Sequence, residues 1–199
     1  YIGVGSLMCA ALGCGILYTR QARLQQAISD KVLRFHVLAN SDSEADQTLK
    51  LAVRDAVGSF MQEKLADVEN LEECEMVVRQ SLGEIEEAAA ETIAENGYDY
   101  DVTAELEHTS FPVKNYGSYT FPAGDYEALR IVIGEGNGHN WWCVMYPNMC
   151  FSDSMYEVID EKAETSLQEV LTQEEYDSII EDSDYKIQFK YLSFLNHYL

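Results

Sequence analysis

The residue types best suited to chemistry are concentrated at 134–151, where three alternating glycines precede a histidine, two tryptophans and two cysteines. His139 and Cys143 suggest a base and a nucleophile, because a reactive thiolate needs a proton acceptor within hydrogen-bond reach. Reactive thiols also commonly lie at a helix N-terminus, whereas the residues at 144–147 do not favour a helix. We therefore favour a binding role and assign no catalytic residue. The alternative is a thiol or cell-wall hydrolase that uses Cys143 and His139.

The glycines at 134, 136 and 138 favour a shaped loop rather than a nucleotide site. Glycine allows positive φ and a close approach of two backbones. A dinucleotide loop requires a helix after its glycines, so that the helix amides meet the phosphates, but Trp141 and Trp142 follow here. The chain has four dispersed histidines and no Cys-x-x-Cys motif, which argues against a metal centre. We therefore predict no cofactor, no metal and no small-molecule substrate.

The two adjacent tryptophans favour a protein-binding surface. Successive side chains of a strand point to opposite faces, so we expect one tryptophan to be buried and the other exposed. An exposed tryptophan is a common anchor of protein interfaces. The sequence therefore predicts a partner-binding surface formed by Glu135, His139, Asn140, Trp141 and Trp142.

Two of the five cysteines, Cys143 and Cys150, lie on either side of Pro147-Asn148, a dipeptide typical of turns. If the domain is exported, this spacing predicts a disulfide between them, and two reduced core thiols are the alternative. Cys74 lies on the apolar side of a predicted helix, so we expect a buried free thiol there.

The net charge of −22 argues against nucleic-acid binding, because attraction to phosphates needs a basic face. The acids are densest at 153–184, which we interpret as a solvated helical face, with an acidic docking surface as the alternative. By contrast, residues 1–18 carry no charged side chain and form one apolar run. This run predicts an export signal or membrane anchor, and a short buried core helix is the alternative. Residues 19–30 then read as a polar connector.

The hydrophobic periodicities predict an α+β fold, with a mostly antiparallel sheet covered on one face by two antiparallel helices and preceded by the N-terminal apolar helix. The predicted elements are a strand at 31–39, helices at 43–65 and 70–96, strands at 100–107, 119–121, 126–133 and 141–146, helices in the acidic segment, a strand at 186–190 and a helix at 191–199. The first strand has Arg34 and His36 on its polar face, Ser43 and Asp46 are spaced as a capping box, and Asn70 is the expected cap of the second helix. The predicted domains are an anchor and connector at 1–27, a signalling domain at 28–153 and an acidic helical extension at 154–199 that packs on it.

Three groups of segments carry a resemblance to a known family. They are Val32 to Asp55, then 111–117 with 122–130, and finally Ile133 to Val144 with Pro147 and Cys150-Phe151. With these segments the chain resembles the stage II sporulation protein R family of endospore-forming bacteria over about residues 31–153. That family often has a second proline where this chain has Asn148.

The resemblance implies a signalling protein that is made in the forespore and exported into the space between the two septal membranes. There it would activate a membrane-embedded aspartic protease of the mother cell, which removes the pro-sequence of a sigma-factor precursor. The family has no assigned catalytic residues, so none carries over. The resemblance thus implies a non-enzymatic, secreted or N-terminally anchored protein with that protease as its partner.

Overall fold

A computed structural model describes residues 19–149 and 161–180 of the 199-residue chain. The fold is α+β, as the periodicities predict. In chain order the elements are α1 (19–29), β1 (Leu33–Leu38), α2 (Glu44–Lys64), α3 (Leu71–Glu95), β2 (Val102–Phe111), β3 (Lys114–Tyr116), β4 (Tyr119–Phe121), β5 (Gly124–Ile133), β6 (Asn140–Tyr146), α4 (Glu161–Val170) and α5 (Gln173–Ile179).

The main sheet has four strands in the order β2-β5-β1-β6, and β3 and β4 form a separate hairpin. The sheet is mixed rather than purely antiparallel. The outer pairs β2–β5 and β1–β6 are antiparallel, whereas the central pair β1–β5 is parallel and sets Phe35 beside Leu129. The sequence did not predict this parallel pair, because side-chain alternation shows which residues share a face and not which way a strand runs.

Helices α2 and α3 pack against each other and cover one face of the sheet, where aliphatic residues from both helices and all four strands form a common core. Ser43 caps α2 by accepting a hydrogen bond from the amide of Asp46, and Asn70 caps α3 in the same way. The capping box predicted for Ser43 and Asp46 is only half formed, because the Asp46 carboxylate accepts hydrogen bonds from Asn40 and Ser41 instead.

The opposite face of the sheet is also covered, whereas the sequence indicated only that the acidic extension packs on the domain, without saying where. The β3–β4 hairpin and helices α1, α4 and α5 pack there around a second, aromatic-rich core. Residues 19–29 are helical and place Ile28 in that core, so the prediction of a polar connector is wrong. Arg34 and His36, expected on an exposed polar face, are 0% and 3% exposed.

The acidic segment forms two helices within its described part, α4 and α5. Leu167 and Tyr176 are buried against the sheet, and Lys31 pairs with Glu175 at 2.6 Å. The predicted membrane segment at 1–18, the strand at 186–190 and the helix at 191–199 lie outside the described residues. Among the described helices, none is long and apolar enough to cross a membrane.

Candidate binding surface

The glycine loop between β5 and β6 packs directly on the loop between β1 and α2. Gly134 and Gly136 have φ of 56° and 63°, a backbone region that side chains other than glycine rarely adopt. The amide of Gly138 donates to the carbonyl of Ala39 at 2.9 Å, and a Cβ on Gly138 would lie 2.2 Å from the carbonyl oxygen of Ser41. The predicted shaped loop is therefore confirmed: Gly134 and Gly136 are required by their positive φ, and Gly138 by the contact of two backbones.

Asn40 fixes the position of this loop with its side-chain amide. Its Oδ1 accepts a hydrogen bond from the amide of Glu135 at 3.0 Å, and its Nδ2 donates to the carboxylate of Asp46 at 3.0 Å. Hydrogen bonds from Ser41 and Asn40 lower the pKa of Asp46, which therefore remains an anionic acceptor at neutral pH. Glu135 itself is exposed, so its side chain is available to a partner.

His139 projects from the end of the loop and is held by Asp42. The backbone amide of His139 donates to Asp42 Oδ1 at 2.6 Å, and its ring Nδ1 lies 2.5 Å from the same oxygen. The side chains remain 79% and 55% exposed. These hydrogen bonds lower the pKa of Asp42, and Lys50 donates to the carbonyl of His139 at 3.0 Å. The predicted contact residue is thus presented to solvent in a defined orientation.

Trp141 and Trp142 are both partly buried, so the prediction that one of them is exposed is wrong. They do point to opposite faces of the sheet. Trp141 meets Phe35 edge-on with the ring centroids 5.4 Å apart, and the guanidinium of Arg54 lies 5.2 Å from its ring. Lys114 Nζ lies 5.4 Å from the centre of the Trp142 ring. A long cationic side chain therefore covers part of each tryptophan ring.

Trp142 belongs to an aromatic cluster that surrounds Arg34. It stacks on His36 with the ring centroids 5.0 Å apart and meets Phe111 at 4.6 Å. The Arg34 guanidinium lies 4.4 Å from the Phe111 ring and donates to the hydroxyl of Tyr116 at 2.8 Å. Side chains from β1, β2, β3 and β6 are thereby joined into one unit.

His36 is neutral in this environment. Burial, and then the positive charge of Arg130, lower its pKa to about 4. The Asn140 side chain interacts with the His36 ring and opposes this lowering of the pKa. The contact falls short of hydrogen-bond distance and angle, so the His36 ring nitrogens and Asn140 Oδ1 are without a well-formed hydrogen bond. Asn140 begins β6 and is partly buried.

Cys143 lies 4% exposed in the core beneath α2 and α3 and is disulfide-bonded. Its predicted partner, Cys150, lies outside the described residues, so this pairing stays a prediction. A buried disulfide sulfur is not a free thiolate, and His139 lies on an exposed loop. The arrangement therefore gives no support to a Cys143–His139 nucleophile. Cys74 is a buried free thiol, as predicted, and burial raises its pKa to about 12.

The sequence interpretation missed Lys114 and Tyr116 as parts of this surface, and Arg34 as the buried cation that contacts them. The available signal was the density of aromatic residues at 111–126 together with one arginine in an otherwise apolar strand. Across 19–149 and 161–180, no group of three or more His, Cys, Asp or Glu side chains is arranged to hold a metal ion.

Comparison with known proteins agrees with the resemblance seen in the sequence. The sequence model of the stage II sporulation protein R family matches residues 29–156, which include β1 to β6. Stage II sporulation protein R of Bacillus subtilis (strain 168) is 43% identical over 126 residues, which cover 63% of this chain and 56% of that protein. The match thus spans little more than half the length of that relative. No solved structure gives a significant match.

Proposed function

Because the chain belongs to the stage II sporulation protein R family, we propose that it is an exported sporulation signal that activates a membrane-embedded aspartic protease. The protease would then process the precursor of the mother-cell sigma factor. In this proposal the apolar segment at 1–18 carries the protein out of the forespore, and the folded domain acts in the space between the two membranes.

The presentation of His139 is the observation that carries a binding role. Its side chain is 79% exposed, yet its backbone and ring are both tied to Asp42. A contact residue that is already fixed in the free protein loses little conformational entropy when it binds. We propose that His139, Glu135 and the partly buried rims of Trp141 and Trp142 contact the protease.

Activation would follow from a preference for the active arrangement of the protease. A ligand can shift an equilibrium between two states only by its difference in affinity for them. To raise the active state from about 1% to about half, the protein would have to bind it about a hundredfold more tightly, equivalent to about 2.7 kcal/mol. Two or three well-placed contacts at an interface supply that amount.

The test uses the full chain, membranes containing the protease and the sigma-factor precursor, with precursor cleavage followed on a gel. His139→Ala should lower activation about five- to thirtyfold, the loss expected for an interface anchor. His108→Ala is the matched control, because His108 is 78% exposed and lies on the far strand β2. Both variants should keep the thermal midpoint of the parent, since surface changes of this kind shift stability by about 0.5 kcal/mol or less.

Equal activation by the two histidine variants would exclude the loop as the contact surface. Full activation by protein whose His139 and Glu135 are both replaced by alanine would contradict the proposal most directly. A hydrolase would show turnover without the protease, so cleavage of cell-wall material by the purified chain would instead favour the enzymatic alternative.

A further inference from the structure

The sheet face opposite α2 and α3 carries two cations without an acidic partner. Arg34 is completely buried, and Lys114 is half-buried with its Nζ 5.4 Å from the centre of the Trp142 ring. Arg130 on the same face is different, because two glutamate carboxylates lie 3.6 Å from it. Within the described part of the chain, neither Arg34 nor Lys114 forms an ion pair.

This lack of acidic partners is unexpected in a chain with 35 acidic and 13 basic residues. A charge removed from water is costly unless it is paired and hydrogen-bonded. Burial, and then the charge of Arg34, lower the pKa of Lys114, so the two cations disfavour each other. An anion beside Lys114 would offset both the cost of burying its charge and its repulsion from Arg34.

The hydroxyl of Tyr116 is the contact between the buried cation and the β3–β4 hairpin. It accepts a hydrogen bond from Arg34 Nη2 at 2.8 Å, while Arg34 Nε donates to the carbonyl of Cys143 at 2.9 Å. A tyrosine hydroxyl that accepts one hydrogen bond keeps its own hydrogen to donate. Because the group behind it is a guanidinium, that hydrogen is a stronger donor toward an anion. Tyr116 is half-buried, as are Lys114 and Trp142.

We propose that Lys114, Tyr116 and Trp142, backed by Arg34, form a recognition site for an acidic side chain of a partner protein. The carboxylate accepts hydrogen bonds from Lys114 Nζ and the Tyr116 hydroxyl, and the stem of the acidic residue packs on the rim of Trp142. This proposal rests on the proposed function in taking the partner to be a protein, and it adds the chemistry of the partner's docking residue.

The surroundings of the site favour a peptide segment. Val113 precedes Lys114 and is 46% exposed, one of three large apolar side chains that are exposed among the described residues. An apolar side chain next to the acidic residue of the partner could pack on Val113. The charge is also complementary, because this cluster is a local cationic site on a chain whose net charge is −22.

The binding test uses the full chain and two short probe peptides. One is acetyl-Gly-Val-Glu-Val-Gly-amide, and the other has glutamine in place of glutamate. Indole N–H resonances report binding, with Trp142 as the probe and Trp141, on the opposite face, as the internal reference. The glutamate peptide should give a saturable shift of Trp142, with an affinity about tenfold higher than that of the glutamine peptide.

Two variants assign the interaction to the proposed donors. Lys114→Gln should weaken the glutamate peptide about tenfold, and Tyr116→Phe, which keeps the ring, should weaken it several-fold. Lys64→Gln is the matched control, since Lys64 lies on α2 and pairs with Glu84 at 2.9 Å. It should bind both peptides as the parent does.

Equal binding of the two peptides would overturn the proposal, and so would the absence of a Trp142 shift at about 10 mM peptide. A dissociation constant above about 10 mM is too weak to contribute at an interface. An unchanged affinity in Lys114→Gln would do the same. These measurements contain no protease, so their failure is distinguishable from failure of the activation assay with His139→Ala.

Discussion

Asp42 holds His139 through one carboxylate oxygen, which accepts the backbone amide at 2.6 Å and lies 2.5 Å from the ring nitrogen Nδ1. The contact connects the start of α2 with the end of the glycine loop. It leaves Nε2 of the ring directed away from Asp42, because the two nitrogens lie on opposite sides of the imidazole. Asp42, two residues before the start of α2, thus determines which part of His139 a partner would meet.

The Asp42 contact should survive to acidic pH. The hydrogen bonds from His139 lower the pKa of Asp42 in the folded protein. A carboxyl group with a lowered folded pKa supports the contact above its ordinary pKa, and the contact is lost only as the pH falls through the lowered value. The side-chain carboxyl carbon resonance of Asp42 should therefore not titrate at the ordinary aspartate pKa and should move only at lower pH. A carboxyl transition at the ordinary aspartate pKa would contradict the contact.

Gly138 should be the least replaceable residue of the loop. In Gly138→Ala the new Cβ would meet the carbonyl of Ser41 at 2.2 Å, and a backbone atom cannot move aside easily. We expect a loss of about 1–3 kcal/mol in the free energy of unfolding, measured with denaturant. Gly83→Ala is the control, because nothing lies within 4 Å of its position in α3, and it should stabilise the protein by about 0.4–1 kcal/mol. Equal effects would contradict the close approach.

His36 should make the fold less stable in mild acid. Its pKa is about 4 in the folded protein against an ordinary value of 6.5. The unfolded chain therefore binds a proton below pH 6.5 that the folded chain does not, and stability falls with pH until about pH 4. Between pH 7 and pH 5 this single group should cost about 2 kcal/mol.

Two histidine variants test that assignment by denaturant unfolding at each pH. His36→Phe keeps a ring against Trp142 and removes the titration, so its stability should depend less on pH over this range. His108→Phe is the control, because it removes a histidine whose side chain is 78% exposed and lies outside the buried cluster. Parallel pH profiles for His36→Phe and the parent would exclude a buried neutral histidine.

The second sulfur of the Cys143 disulfide should come from Cys150. Mass spectrometry of non-reduced peptides should find the 143–150 region two hydrogens lighter than its reduced form, while Cys74 reacts with an alkylating agent only after unfolding. Reduction should lower the free energy of unfolding by about 2–3 kcal/mol, the value expected for a short loop. Two alkylatable thiols at 143 and 150 in native secreted protein would contradict the pairing.

The sequence predicted those parts of the fold that local periodicity determines. Strand β1 alternates and helices α2 and α3 repeat every three to four residues, so their faces and caps could be read directly. The helix α1 was missed because it places only a few apolar side chains, such as Ile28, on the domain. Within the described residues, helix α1 packs on the domain through Ile28 and the partly buried Leu24.

The candidate surface was predicted in its loop and missed in its interior. Gly134 and Gly136 made the loop predictable, because they adopt a positive φ that other residues rarely adopt. Arg34 and His36 were expected in solvent because they are polar and alternate with apolar residues. Their burial depends on the β3–β4 hairpin and on α4 and α5, which lie far away in the chain. Alternation alone cannot show that a distant segment covers a face.

Strand β1 supplies aliphatic side chains to one core and Arg34 and His36 to the other. Displacing it by a single residue against β5 or β6 would push a guanidinium and an imidazole into the layer beneath α2 and α3. Such an arrangement would leave the polar groups without partners and would be far less stable than the native one. Arg34 and His36 therefore help to set the register of β1. They disfavour any other alignment of this strand with β5 and β6, which follow it in the sequence by about 90 residues or more.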